Sequence, residues 1–506
     1  MNSEELVEDM NRFVISIFAL MNKLMLDKIK ELEKISRELE PNSAARKVAR
    51  KKVIEYTEDF LDSIYSLKAF DFTEEKGKGI FSSPISNTPV EIDEAIKLVF
   101  ENVDTQGLNP ASGGHLGYIP GGGIYYSALG DYMADITNRY AGIFFAGPGA
   151  VRMENMLIEW MNGIVGYSKE ASGNLTTGGS LANLIAIVTA RDAHKIKSKD
   201  IERTVIYLSE QAHHSIDKSI RIAGTGECIH RFIAIDEHFR IIPDELERLI
   251  VEDKKNGLIP WLVIAAAGTT DVGAIDPLDE IGDITNKYNL WFHVDGAYGG
   301  FFALTDHGKK LLKGIEKSDS VIIDPHKGLF LPYGLGVVLI KDKKHLYESH
   351  HYFANYMQDA LKDADELSPA DLSPELTKHY RSLRLWLPLK LLGVAPFRAC
   401  LEEKLLLAQY FYDKIKNTKG FEVLLEPQLS VVVFRYIPES GDVDAFNQRI
   451  VDEIHKDGRI FFSSTKINGK FMLRICVLAF RTHLATINLA LEIINEKVEL
   501  VKRLQH

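Results

Sequence analysis

The stretch Leu290-Trp291-Phe292-His293-Val294-Asp295-Gly296-Ala297-Tyr298 is an apolar run that ends in an acid. A second run, Ser320-Val321-Ile322-Ile323, opens onto Asp324-Pro325-His326-Lys327-Gly328. Both are short enough, and apolar enough, to be buried strands with a charged residue at the carboxyl end. Around them, from about Asn155 to Asp342, short apolar runs alternate with helical stretches. Strands are predicted at Thr204–Leu208, Phe232–Ile235, Trp261–Ala266, Leu290–Asp295, Ser320–Asp324 and Gly336–Ile340, with helices such as Asp244–Asp253 and Leu278–Tyr288 between them. Such alternation predicts an α/β fold, a mostly parallel sheet covered by helices. Ligands of such sheets bind beyond the carboxyl ends of the strands, where Asp295 and Lys327 both fall.

An aspartate and a lysine at those two places suit pyridoxal 5'-phosphate (PLP). The lysine forms a Schiff base with the cofactor aldehyde, and the aspartate pairs with the protonated pyridine nitrogen. Taken alone, such a lysine is usually just solvated, so two further motifs matter. Thr176-Thr177-Gly178-Gly179-Ser180-Leu181-Ala182-Asn183 opens a helical run. There, unpaired N–H groups, the helix dipole and a hydroxyl suit a phosphate, although Gly-Gly-Ser also caps plain helices. Glu210-Gln211-Ala212-His213-His214-Ser215 follows the strand Thr204–Leu208, and an imidazole there can stack on a pyridine ring or simply begin a helix at the surface. No second His or Cys lies at zinc-ligand spacing, so no metal is expected.

The 506 residues suggest two or three domains, and 45% apolar with 26% charged residues is an ordinary globular balance. Three separated cysteines, Cys228, Cys400 and Cys476, form no disulfide framework, which fits a reducing, cytoplasmic setting. The net charge of −11 argues against nucleic acid, and the basic run Ala45–Lys52 is read as the solvated face of a helix. Phe13–Leu26, interrupted by Asn22 and Lys23, is too short to span a bilayer, so no membrane association is expected. Residues 1–100 are predicted to be helical and to serve dimerisation, residues 101–380 to form the large cofactor-binding domain, and residues 381–506 a small α+β domain. A glycine-rich loop, Gly113–Gly123, suits close approach to a ligand. The segment 350–377 is charged and lacks a strong period, as expected of a lid. A long helix is expected from about Leu383 to Ile415, bent near Pro388 and Pro396. Later strands are expected at Phe421–Leu425, Ser430–Tyr436, Arg459–Ser463 and Phe471–Val477.

Together, Gly-Gly-Ser, Gln-Ala-His, Gly268-Thr269-Thr270, His-Val-Asp-x-Ala and Pro-His-Lys, in this order, resemble the group II PLP-dependent amino-acid decarboxylases, which include the aromatic-L-amino-acid, histidine and glutamate enzymes. The resemblance runs from about Gly113 to the C-terminus. It implies fold type I, the aspartate-aminotransferase-like PLP-dependent transferase fold, and a homodimer with the site at the interface. It implies that Lys327 is the Schiff-base lysine, Asp295 the partner of the pyridine nitrogen and His213 the ring-stacking histidine. Gly179 and Ser180 match the phosphate loop, Thr270 a threonine beside the cofactor, and Ala297 and His326 lie within the cofactor motifs. Asp324 falls where the family often has a phosphate-binding asparagine, and a carboxylate there needs to turn away or be paired. Tyr118, Ile119 and Gly121 fall in the segment lining the substrate pocket of the aromatic branch, where Ile119 stands in place of a phenylalanine often found there and counts against a large aromatic substrate. Arg474 matches an arginine that meets the substrate carboxylate in the glutamate branch, or else serves a structural ion pair.

The implied reaction is decarboxylation of an L-amino acid, with the aromatic branch favoured by Trp386 and the motif wording. Transfer of the cofactor from Lys327 to the substrate requires a lysine that is deprotonated part of the time, to which desolvation and nearby cations would contribute. One departure affects the product. The lid tyrosine that delivers the final proton in relatives has Pro369 at its position, leaving Tyr352, Tyr356, His379 or Tyr380 as substitutes. A decarboxylation-dependent aldehyde synthase and a carbon–carbon lyase resembling sphingosine-phosphate lyase are the alternatives.

Overall fold

The structure, a computed structural model, describes residues 3–352 and 366–504. The chain divides into two compact units, Met1–Ile64 with Glu75–Thr105, and Tyr65–Glu74 with Gln106–His506. The first contains helices α1 (Ser3–Ser36), α2 (Ser43–Ser63) and α3 (Ile92–Val99). Asn42 starts α2 by accepting the Ala45 N–H at 3.0 Å, satisfying one of the amides that a helix start leaves free. Along α1, Met10, Phe13, Phe18, Met21 and Leu24 are all exposed.

The second unit is built on a seven-stranded sheet, with α4 (Tyr125–Thr137) and α5 (Pro148–Val165) preceding it in the chain. Its strands are β1 (Ser172–Thr176), β2 (Thr204–Leu208), β3 (Ile229–Phe232), β4 (Ile259–Ala266), β5 (Trp291–Asp295), β6 (Ser320–Ile323) and β7 (Gly336–Ile340). Their spatial order is β1-β7-β6-β5-β4-β2-β3. Strands β3, β2, β4, β5 and β6 are mutually parallel, whereas β7 runs antiparallel to both β6 and β1. The mostly parallel sheet expected from the sequence is therefore present, with one reversed strand inserted near its edge.

Side chains alternate between the two faces of a strand, and this decides which residues meet. Phe292, Val294, Val321 and Ile323 face a core shared with α5, α8 (Pro243–Lys255) and α9 (Leu278–Tyr288). Trp291 and Ile322 face the other core, with α6 (Gly179–Ala193) and α7 (Ser215–Ile222). The register pairs His293 with Ser320 and Asp295 with Ile322. Trp291, His293 and Asp295 thus form a polar stripe on the α6 side of the sheet.

Beyond it, α10 (Ser382–Leu392) and α11 (Ala395–Lys416) replace the single bent helix that was expected. The break is at Gly393, with φ +68°, while Pro388 is accommodated inside α10. A four-stranded antiparallel sheet of β8 (Phe421–Val423), β9 (Val431–Tyr436), β10 (Ser463–Ile467) and β11 (Lys470–Cys476), ordered β8-β9-β11-β10, is packed with α11, α12 (Val443–Asp457) and α13 (Leu484–Leu504) around its own core.

Two strands lie away from their expected positions. The one expected at Phe232–Ile235 forms at Ile229–Phe232, because Val205–Leu208 pairs with that span. The chain then turns at Asp236, whose carboxylate takes the N–H groups of His238 and Arg240. The strand expected at Arg459–Ser463 forms at Ser463–Ile467. Phe461 is occupied by the glycine-rich loop, exchanging backbone bonds with Gly114 and Leu116.

Candidate functional site

A cavity of about 280 Å³ opens where β4, β5 and β6 end and α6 begins. That is near the lower end of small-molecule pockets, roughly 300–1,000 Å³. Of the residues singled out in the sequence, it gathers Ile119, Gly179, Ser180, His213, Thr270, Asp295, Ala297, Asp324, His326 and Lys327. Tyr118, Gly121 and Arg474 are not in its lining.

Each side chain is placed by a nameable local cause. Asp295 ends β5, and its carboxylate accepts the Ala297 N–H at 3.1 Å and Asn183 Nδ2 at 3.2 Å. Lys327 lies one turn beyond β6 in the short helix Pro325–Gly328, which Pro325 initiates. Its Nζ is 2.9 Å from Asp324 Oδ2, and the Asp324 side chain is 1% exposed. Burial pushes the Lys327 pKa down, but the ion pair and hydrogen bond to Asp324, helped by Asp295, override it and hold the ammonium above the ordinary lysine value. The sequence led us to expect the opposite sign. Two carboxylates, rather than cations, surround this amine.

Asp324 is accordingly paired, as a carboxylate at this position needs to be. Its other oxygen, Oδ1, is buried with no hydrogen-bond partner. The carboxylate lies against Gly179, where an added Cβ would come within 3.0 Å of Oδ2. On the same wall, a Cβ on Gly336 would be 2.4 Å from the Gly178 carbonyl carbon. Glycine at these places lets the start of β7, the start of α6 and Asp324 close around one small volume. The first turn of α6, with Thr177 and Ser180, points free N–H groups into that volume and suits an anion.

His213 accepts at Nδ1 from the Ser215 N–H at 3.2 Å, with Ser215 Oγ at 2.7 Å, and its ring lies 4.0 Å from that of His214. Burial, only partly opposed by Asp295, lowers its pKa below the ordinary histidine value, so the ring is neutral near pH 7. His326 is likewise held neutral by burial, and its Nδ1 bonds the Leu335 carbonyl at 2.5 Å.

The remaining candidates have other work. Tyr118 is exposed, with φ +52°. Gly121 packs on the backbone of His326, where a Cβ would sit 2.1 Å from the carbonyl oxygen. Arg474 is 3% exposed and is held by the carbonyls of Thr270, Asp271 and Tyr118 and by Ser463 Oγ. Its Nη2 is buried without a partner.

Sequence reasoning missed several cavity residues: Asn183, Thr177, Gln211 and Tyr298. All four lay inside quoted motifs, so the signal was present but was spent on their neighbours. Among the described residues there is no His, Cys, Asp or Glu cluster able to hold a metal ion, and no helix long and apolar enough to cross a membrane.

An amine, a second carboxylate, a neutral imidazole and a helix start suited to an anion together match what PLP requires of a protein. The donor set therefore fits that cofactor. The model of the pyridoxal-dependent decarboxylase conserved domain matches residues 92–437, more than half of the chain. An aromatic-L-amino-acid decarboxylase of Bacillus atrophaeus is 35% identical over 372 residues, covering 72% of this chain and 77% of the relative. An L-2,4-diaminobutyrate decarboxylase of Acinetobacter baumannii is 31% identical, covering 70% and 73%. The crystal structure of Oryza sativa TDC with PLP and tryptamine superposes with a TM-score of 0.85 at 23% identity, covering 90% of this chain and 98% of that one, which places the fold in fold type I. The chain belongs to the pyridoxal-dependent decarboxylase family and is a PLP-dependent amino-acid carboxy-lyase.

Proposed function

We propose that the enzyme removes the α-carboxylate of an aromatic L-amino acid and releases the amine. The observation that carries the substrate class is the position of Arg474. The arginine matching the one that meets the substrate carboxylate in the glutamate branch is tied to three backbone carbonyls and a hydroxyl, outside the cavity lining. Ile119 offers an apolar wall instead. The Bacillus relative, an aromatic-L-amino-acid decarboxylase, supports the same class.

The geometry supports these roles for the chain's own groups. Lys327 would hold the cofactor covalently through Nζ. The first turn of α6, with Gly179 and Ser180, would receive its phosphate. His213 would lie against its ring, and Asp295 would pair with its ring nitrogen. When bound, the cofactor would supply the electron sink for decarboxylation. Asp324 opposes loading, because it keeps Lys327 protonated and faces the phosphate site. Replacing it with asparagine removes both effects. The cofactor-free Asp324→Asn protein is expected to capture PLP several-fold faster at neutral pH, because loss of the carboxylate lets the amine pKa fall and raises the neutral fraction. Stopped-flow absorbance checks this, and an unchanged rate refutes the role given to Asp324.

One observation favours a second outcome, the aldehyde synthase. Pro369, at the position of the expected lid tyrosine, is buried in a short turn whose carbonyl accepts Asn174 Nδ2 at 2.9 Å, and so belongs to the scaffold. Among the substitutes, Tyr352 is exposed, His379 is bonded to Asp135 at 2.9 Å, and Tyr380 donates to Met153 Sδ at 3.4 Å. None of the three lines the cavity, and Tyr356 lies outside the described residues. The deciding experiment measures carbon dioxide, amine, aldehyde and peroxide from aromatic, acidic and basic amino acids, with and without oxygen. Amine from an aromatic substrate in both atmospheres supports the decarboxylase. Aldehyde and peroxide formed only with oxygen support the synthase, and turnover of acidic or basic substrates alone overturns the reading of Arg474.

The exposed apolar side chains of α1 support a homodimer in which the N-terminal helices pack on a second copy. Deletion of residues 1–100 is expected to give insoluble or monomeric protein by light scattering. A soluble, active dimer without them overturns that role.

A further inference from the structure

Behind the cofactor-facing groups, the polar stripe of β5 continues into the protein as an unbroken series of hydrogen bonds, fully buried at its inner end and part-buried where it reaches Asp295 and His213. Trp291 Nε1 lies 2.8 Å from Ser320 Oγ, and Ser320 Oγ lies 2.8 Å from His293 Nδ1. His293 Nε2 is 2.9 Å from Asn183 Oδ1. Asn183 Nδ2 is 3.2 Å from Asp295 Oδ2 and also 3.2 Å from Ser215 Oγ, which in turn lies 2.7 Å from His213 Nδ1. Ser320, His293, Asn183 and Ser215 are buried, His293 and Ser320 at 0% exposure. The family chemistry uses Asp295 and His213 but leaves the rest of this series without a role.

The direction of every proton in it can be deduced. An indole nitrogen only donates, so Ser320 Oγ accepts from Trp291 and has its own proton to give to His293 Nδ1. The Asn183 amide faces the Asp295 carboxylate with its nitrogen, because the reverse orientation would set two acceptors against each other. Its oxygen therefore receives a proton from His293 Nε2. Burial lowers the His293 pKa to about 4, against a weaker opposing pull from Asp295, so the ring carries a single proton and that proton is on Nε2. The second Asn183 proton goes to Ser215 Oγ, whose hydroxyl then donates to His213 Nδ1. The Ser215 backbone N–H, 3.2 Å from the same nitrogen, demands the same tautomer.

We propose that Trp291, Ser320, His293 and Asn183 are positioning residues that form a one-directional relay, forking at Asn183. One arm fixes the carboxylate of Asp295, and the other fixes His213 as the Nε2–H tautomer. The relay rests on the reading that these two groups meet the cofactor ring, and it explains why a histidine and a tryptophan occupy a buried strand otherwise suited to aliphatic residues. Its effect is to hold both groups pre-oriented, so that neither reorganises when charge develops on the ring.

The test uses the PLP-loaded full chain and two variants. In the wild type, 15N NMR of histidine-labelled enzyme should show His293 protonated at Nε2 and bare at Nδ1, with no titration between about pH 6 and pH 9, above the buried ring's own pKa. His293→Gln keeps a donor where Nε2 stands, whereas His293→Leu keeps only volume. His293→Leu should lower kcat about 10- to 100-fold, as loss of a supporting partner does, with little change in KM. It should also move the pH midpoint of the enzyme-bound cofactor's visible band, and His293→Gln should restore most of both. A wild-type His293 protonated at Nδ1 overturns the relay, as does a glutamine variant no better than the leucine one. If the leucine variant does not fold, the tautomer measurement alone decides. That readout needs no substrate, so a wrong assignment of the amino acid leaves it intact.

Discussion

Lys327→Ala is expected to abolish turnover, with kcat lower by about four orders of magnitude or more, about 5.4 kcal/mol at 1.36 kcal/mol per decade. Among the described residues lining the cavity, Lys327 is the one primary amine. No neighbouring group can therefore replace its covalent step. The visible band of the lysine-bound cofactor should give way to that of the free aldehyde. Stability should fall as well, because the alanine leaves Asp324 buried with neither oxygen paired to a cation. Breaking a fully buried pair costs about 3–5 kcal/mol. Lys327 is 24% exposed, so a smaller loss is expected here. The double variant Lys327→Ala/Asp324→Asn separates the two effects: thermal stability should largely return while activity stays absent. If activity survives in the single variant, the lysine does not carry the cofactor. If stability fails to recover in the double variant, the Asp324 pairing is not what the alanine disrupted.

Much of this site could be read from the sequence because it depends on local periodicity. Acids and lysines at the ends of apolar runs, and glycines ahead of a helix, keep their meaning whatever the loops do, which is why Lys327, Asp295, Gly179, Ser180 and His213 line one cavity. Two kinds of information were not local. The reversed strand β7 follows from the packing of its neighbours, since Gly336–Ile340 would look the same in either direction. The environment of Lys327 was misjudged because the sign of a pKa shift depends on distances, and Asp324 reaches the amine at 2.9 Å only once the Pro325 turn has formed. Arg474 shows the same limit. A motif placed it, but its partners are carbonyls more than 200 and 350 residues away in the chain. His293 and Trp291 were passed over as strand residues, although an alternating count from Asp295 puts all three on one face.

Asp295→Asn should lower kcat by about 10²- to 10³-fold while leaving the cofactor attached to Lys327. The substitution preserves volume and leaves an oxygen able to accept the Ala297 N–H. In the proposed role, it removes the negative charge that would keep the ring nitrogen protonated, and with it the ring's capacity to take up the electron pair left by carbon dioxide. Because Lys327 is untouched, the visible band should persist, which distinguishes this loss from that in Lys327→Ala. The pH dependence carries a sign that tests the cause. In the proposed wild-type arrangement the carboxylate would hold the ring proton as pH rises. In the asparagine variant the proton is held only by solution acidity, so kcat should rise as pH falls, opposite to a defect in binding or folding. Asp295→Glu restores charge but sets it one methylene too far along a path already occupied by Asn183, so a partial recovery is expected. A flat pH profile in the asparagine variant, or a wild-type kcat, would place the ring nitrogen's partner elsewhere and leave the Asn183 fork without its principal object.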